Sequence, residues 1–215
     1  MCLTLCCSTT AAQIVPDRLL PSLQTTKTVK PGTWVRYTIF NRRTQQASLV
    51  RIAALEKEKR GQWFEIGVTN DRRETAVFKA LIKGSLADPR GVARVVVQPP
   101  GLQPVEVPLT RKGKSRIKLP RLGAKPDPKA RLVGRARIKV AAGTFDTVRY
   151  RRDEGKGKAV EIWSSTKVPG WPMVKASTPE VLLELVGFGD KARSQVHGKP
   201  GKLDPKLMKQ LGLPH

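Results

Sequence analysis

A side-chain alternation of period two, restarted after nearly every turn signal, constrains this chain more than any other feature. Val35, Tyr37 and Ile39 alternate with Trp34, Arg36 and Thr38, directly after the turn dipeptide Pro31-Gly32. Phe64, Ile66 and Val68 alternate with Trp63, Glu65 and Gly67, and Asn70-Asp71 marks the next turn. Residues 47–55, 75–82, 92–98, 104–109, 158–165, 173–176 and 181–186 continue the series as short strand-like runs. Successive side chains of a strand point to opposite faces, so such runs bury one side and expose the other. Residues 47–60 include good helix formers, but Val50 and Ile52 are β-branched and no convincing N-cap precedes them, so strand is the better reading. The expected fold is mainly β, a curved antiparallel sheet or half-open barrel with few short helices.

The clearest hairpin lies between Leu132 and Arg152. Ala136, Ile138 and Val140 face one way, and Arg135, Arg137 and Lys139 the other. After an Ala142-Gly143 turn, Val148 and Tyr150 share a face opposed by Thr147, Arg149 and Arg151. One side then carries a bank of cations, Arg135, Arg137, Lys139, Arg149 and Arg151. Like charges opposite one another destabilise a bare strand pair, which points to solvent screening or a polyanion over this side.

A chain of 215 residues is long enough for one domain with a core of its own. Three parts are expected. Residues 1–29 form a signal-like stub and N-terminal segment, read either as an incomplete export signal or as an ordinary N-terminus. Residues 30–197 form a single β domain with a basic loop at 110–131, where Lys, Arg, Pro and Gly dominate. Residues 198–215 form a basic tail with a short helix, started by Asp204-Pro205 and stopped by Gly212. No segment has the roughly 20 apolar residues a membrane-spanning helix needs.

Charge and composition restrict the function. Lys and Arg total 41 against 17 Asp and Glu, a formal charge of +24, so polyanions or an anionic surface are the expected partners. The histidines are His197 and His215, and the cysteines Cys2, Cys6 and Cys7. Neither set supplies a base beside a nucleophile or a metal-ligand cluster. A phosphate-cradling glycine loop is missing, and the later carboxylates show no acid/base spacing. The protein is therefore expected to be a non-enzyme, with no cofactor and no metal. Trp34, Trp63, Trp163 and Trp171 lie in strand-like or turn contexts and read as core, or as the lining of a pocket for an apolar ligand.

One group of motifs resembles a known family. Pro31-Gly32-Thr33-Trp34-Val35-Arg36-Tyr37 and Gln62-Trp63-Phe64-Glu65-Ile66 are similar to segments of uncharacterised exported bacterial β-sheet proteins. So are the hairpin from Ile138 to Tyr150, with its Ala-Gly-Thr-Phe-Asp turn, the run Glu161-Ile162-Trp163-Ser164-Ser165, and the run from Val168 to Lys175. Those proteins are distantly similar to the lipoprotein-carrier (LolA/LolB-like) half-barrels. The resemblance covers roughly residues 31–196. It implies a non-enzymatic protein of the periplasm or cell envelope that binds a lipid, an acyl chain or an anionic envelope polymer. The ligand-binding residues expected on that reading are Trp34, Trp63, Phe145, Trp163, Trp171 and Lys175. A basic cytoplasmic nucleic-acid-binding protein is the alternative.

Overall fold

A computed structural model describes residues 29–84, 89–109, 130–155 and 158–202. Its strands are β1 (Trp34–Asn41), β2 (Gln46–Glu58), β3 (Gly61–Thr69), β4 (Thr75–Gly84), β5 (Pro89–Gln98) and β6 (Val105–Glu106). They continue as β7 (Arg131–Val140), β8 (Gly143–Gly155), β9 (Lys158–Ser164), β10 (Met173–Ser177), β11 (Val181–Gly189) and β12 (Gly201–Lys202). All belong to one sheet in the order β12-β6-β5-β4-β3-β2-β1-β11-β10-β9-β8-β7. Two runs of sequential hairpins, β1 to β6 and β7 to β11, join where β1 pairs antiparallel with β11, Trp34 opposite Gly189 and Asn41 opposite Val181. The sheet is open and curved rather than closed into a barrel. Its curvature brings the β7–β8 turn back to β11, where Ala142 N–H donates to the Leu185 carbonyl at 3.2 Å.

Among the described residues there is no helix, and residues 47–58 are strand as their β-branched content implies. The sheet is not purely antiparallel, because β12 runs parallel to β6. The N-terminal stub through residue 28, most of the basic loop (110–129) and the helix expected at 204–212 lie outside the described residues.

The alternation seen in the sequence builds the main core. Val35, Tyr37 and Ile39 of β1, Val50 and Ile52 of β2, and Phe64, Ile66 and Val68 of β3 are buried together with Leu183 and Leu185 of β11. Burial of this kind contributes roughly 25 cal/mol per Å² of apolar surface removed from water. Tyr37 keeps its hydroxyl satisfied by donating to the Met173 carbonyl at 3.0 Å, and burial raises its phenol far above the ordinary range.

The opposite face of β2 to β5 is apolar too. Ala53, Leu55, Trp63, Leu81 and Val96 form a second buried cluster there. A sheet apolar on both sides must be covered on both, and the segment following β11 supplies the second cover. Ala192 N–H donates to the Gly32 carbonyl at 2.7 Å, and Gly201 N–H to the Pro104 carbonyl at 2.9 Å. His197 N–H donates to Gln98 Oε1 at 2.9 Å, so residues 190–202 run as a strap from the start of β1 to the β6 edge. Ala192 and Val196 pack onto the second cluster beneath it.

The hairpin turn falls one residue earlier than the sequence reading puts it. Val140 pairs with Gly143, leaving Ala141 and Ala142 as the connection. Ile138 is therefore opposite Phe145, Ala136 opposite Thr147 and Gly134 opposite Arg149. A one-residue slip moves every side chain to the other face, which is why Thr147 is buried beside the apolar residues. The five cations consequently do not form one bank. Arg135, Arg137 and Lys139 lie on one side of the hairpin, whereas Arg149 is paired with Gly134 on β7 and with Trp163 on β9.

The strap makes a sharp demand at its starting point. Gly32 has φ +89, and a Cβ there would lie 2.2 Å from the Asp190 carbonyl oxygen, which only glycine tolerates. Gly32→Ala should destabilise the fold by about 2 kcal/mol or more. Urea unfolding measures this, and an unchanged midpoint would disprove the close approach.

Candidate functional site

Three tryptophans of the face opposite the main core are each flanked by two cations. Trp34 lies beneath Arg36 at 5.9 Å and Arg51 at 6.0 Å from its ring centroid. Trp63 carries Lys79 at 4.9 Å and Arg94 at 5.4 Å, and Trp163 carries Arg149 at 5.4 Å and Lys175 at 5.8 Å. Cations over an indole face are attracted by the ring quadrupole, and their stems shield the ring from water. The Trp34 ring lies across β11, where a Cβ on Gly189 would come within 2.8 Å of its Nε1.

Nearly every one of these cations also has a carboxylate. Arg51 pairs with Glu65 at 3.1 Å, Lys79 with Glu56 at 3.1 Å, Arg94 with Glu106 at 2.8 Å and Lys175 with Glu184 at 2.7 Å. Arg149 pairs with Glu161. The Arg94 fork holds the Glu106 carboxyl below its ordinary range, chiefly through the hydrogen bond. Five of the six cations over these rings are therefore matched by a glutamate.

Glu65 is the deepest of these acids, with no exposure at all. Its partners satisfy both oxygens: Arg51 Nη1 donates at 3.1 Å, Ser194 Oγ at 2.6 Å and Gln195 N–H at 2.9 Å. Arg51 also donates to the Arg193 carbonyl at 3.0 Å. Burial lowers the Arg51 guanidinium, and the charge and hydrogen bond of Glu65 act in the opposite direction. The sheet and the strap are thus fastened through one carboxylate.

Beside this fastening the strap and the ends of β4 and β5 enclose an open cleft of about 840 Å³. Arg51, Arg73, Lys191, Arg193 and His197 line it, with Glu74 as its acid and Val77, Pro99 and Pro100 as an apolar wall. Glu74 is occupied, since its carboxylate accepts from Asn70 Nδ2 at 2.8 Å. The side chains of Arg73, Lys191 and Arg193 are exposed and have no acidic partner among the described residues. The lining of this concavity is thus predominantly cationic.

The residues expected from sequence to bind a ligand do not converge. Trp171 and Phe145 are buried in the main core, and Phe145 packs against Phe188 with ring centroids 6.0 Å apart. Trp34, Trp63 and Trp163 lie on the opposite face under their cations, and Lys175 is held by Glu184. Among the expected polyanion contacts, Arg151 pairs with Asp153 at 2.8 Å, and Arg137 lies 3.8 Å from Asp146. Arg135 and Lys139 have no such partner among the described residues. The cleft residues escape sequence reading because a turn, a loop and the strap bring them together. Among the described residues no cluster of His, Cys, Asp and Glu could hold a metal ion, and no helix is long and apolar enough to cross a membrane.

No protein-family model and no curated protein sequence matches the chain. Solved structures to which the chain shows similarity include an uncharacterised conserved protein from Thermus thermophilus. It is 15% identical with a TM-score of 0.43, over 78% of this chain and 85% of that one. Two others carry the description putative. The lipoprotein from Parabacteroides distasonis is 12% identical with a TM-score of 0.38, over 77% of this chain and 99% of that one. The exported protein with a YmcC-like fold from Bacteroides fragilis is 7% identical with a TM-score of 0.36, over the same shares of 77% and 99%. None of the three is described as a lipoprotein carrier.

Removing the buried acid tests the fastening. Glu65→Ala leaves Arg51 without its ion pair and should cost about 3 kcal/mol in urea unfolding. It should also open Lys191 and Arg193 to trypsin under native conditions, with Glu65→Gln intermediate in both. Unchanged resistance to trypsin would mean that apolar packing alone retains the strap.

Proposed function

We propose that this protein acts by binding rather than by catalysis, and that its ligand is an anionic amphiphile of the bacterial cell envelope. The observation that carries this reading is the division of charge on the outer face. Cations over the tryptophans are matched by Glu56, Glu65, Glu106, Glu161 and Glu184. Arg73, Lys191 and Arg193, in the cleft, are not. An acidic head group placed there gains charge-assisted hydrogen bonds, while Val77, Pro99 and Pro100 offer apolar contact to the first carbons behind it. Val35, Ile52, Trp171 and Leu185 are fully buried against other side chains, which favours a ligand held at the surface cleft over one held among them.

Nucleic acid is the weaker reading. Single-strand binding uses exposed aromatic platforms, whereas Trp63 and Trp171 are buried and Trp34 and Trp163 are flanked by cations.

Calorimetric titration with short-chain phosphatidylglycerol below its micelle concentration tests the proposal. Binding should be saturable, and the phosphatidylcholine analogue should bind at least about tenfold more weakly. Arg73→Ala with Arg193→Ala should weaken phosphatidylglycerol binding about tenfold or more, since a hydrogen bond to a charged group contributes roughly 1.5–3 kcal/mol. Equal affinity in the double variant would exclude the cleft. Cell fractionation tests the envelope location separately.

A further inference from the structure

The strand that ends the sheet at β7 has an edge without a partner strand among the described residues, and edges of this kind are normally blunted by charge. Here the charge is interrupted by an apolar pair: Leu132 is 65% exposed and Val133 47%. Adjacent strand residues ordinarily face opposite ways. The register slips between Leu132 and Gly134, so Val133 is the extra residue of a bulge, and bulges re-aim side chains. Both apolar groups reach solvent from adjacent positions at this bulge. Arg131, Arg135, Arg137 and Lys139 accompany them on the same strand, and Arg135 and Lys139 have no acidic partner among the described residues.

We propose that the Leu132–Val133 bulge of β7 docks on an anionic lipid bilayer, with the apolar pair entering the interface and the neighbouring cations resting on acidic head groups. Apolar insertion combined with a basic patch is the physical recipe for reversible surface attachment. Charge decides against a second copy of this chain, because two such edges would bring like charges together. Nucleic acid would use the cations and leave Leu132 and Val133 without a role. This surface is independent of the cleft: Arg73 and Arg193 take no part in it.

Co-sedimentation of the full chain with vesicles tests the assignment. Vesicles of phosphatidylcholine mixed with phosphatidylglycerol should bind the protein, and pure phosphatidylcholine should bind it at least about tenfold more weakly. Leu132→Asp with Val133→Asp should reduce binding to the mixed vesicles about tenfold or more. Its urea midpoint and its affinity for short-chain phosphatidylglycerol should stay unchanged, separating a failure here from a failure at the cleft. Arg135→Glu with Lys139→Glu should reduce binding as strongly and remove most of its salt dependence. Unaltered vesicle binding by the Leu132/Val133 variant would overturn the proposal, as would absence of binding by the native chain. Duplex DNA binding or a dimer in ultracentrifugation, lost in that variant while vesicle binding persists, would assign the edge to those partners instead.

Discussion

A buried carboxylate that accepts hydrogen bonds from the sheet and from the strap fastens the cover over the second face of this sheet. Glu65 has no contact with water, and an uncompensated charge in such a place would cost several kcal/mol. Arg51, Ser194 and Gln195 provide the compensation together, so the acid is tolerable only with the strap in place. The strap in turn covers Ala53, Leu55, Trp63, Leu81 and Val96. A polar contact at its middle thus adds to the backbone hydrogen bonds at the two ends of this apolar cover.

That arrangement also sorts the positive charge. Over Trp34, Trp63 and Trp163 six cations lie on an indole, and all but Arg36 also pair with a glutamate, so mutual repulsion is offset locally. At two margins the cations have no ion pair among the described residues. Arg73, Lys191 and Arg193 collect at one end of the strap, and Arg135 and Lys139 on the terminal strand. Among the described residues the positive charge is consequently matched over the tryptophans and unmatched in these two places. Their surroundings differ: a concave wall of valine and prolines at one, a projecting leucine–valine pair at the other.

The strands were legible in the sequence because one side of each carries strict alternation. Val35, Tyr37 and Ile39, or Phe64, Ile66 and Val68, announce period two without help from neighbours. The second cluster was not legible. Where Trp63 and Leu81 fill the other face, alternation dissolves into a nearly continuous apolar run, which says that a segment is covered twice but not by what. The hairpin shows the opposite weakness. Gly143 looked like the turn, yet it begins β8, and that single-residue difference transferred Thr147 and Arg149 to the other side. The strap was opaque because Ser194 and Gln195 act through one hydroxyl and one backbone N–H, and the latter leaves no compositional trace. The cleft assembles from segments around residues 73, 99 and 193, a proximity that only the tertiary fold supplies.

The seam between β1 and β11 has a kinetic consequence. Every other antiparallel pairing joins strands adjacent in the sequence, so each half of the sheet can zip up through short-range loops at modest entropic cost. The β1–β11 pairing instead brings together residues separated by most of the chain, and contacts of that separation slow folding. Two locally wound halves should therefore precede their union. Until that union, Val35 and Tyr37 on one half and Leu183 and Leu185 on the other would lie open to water, and this interval is when misassociation between chains is most dangerous.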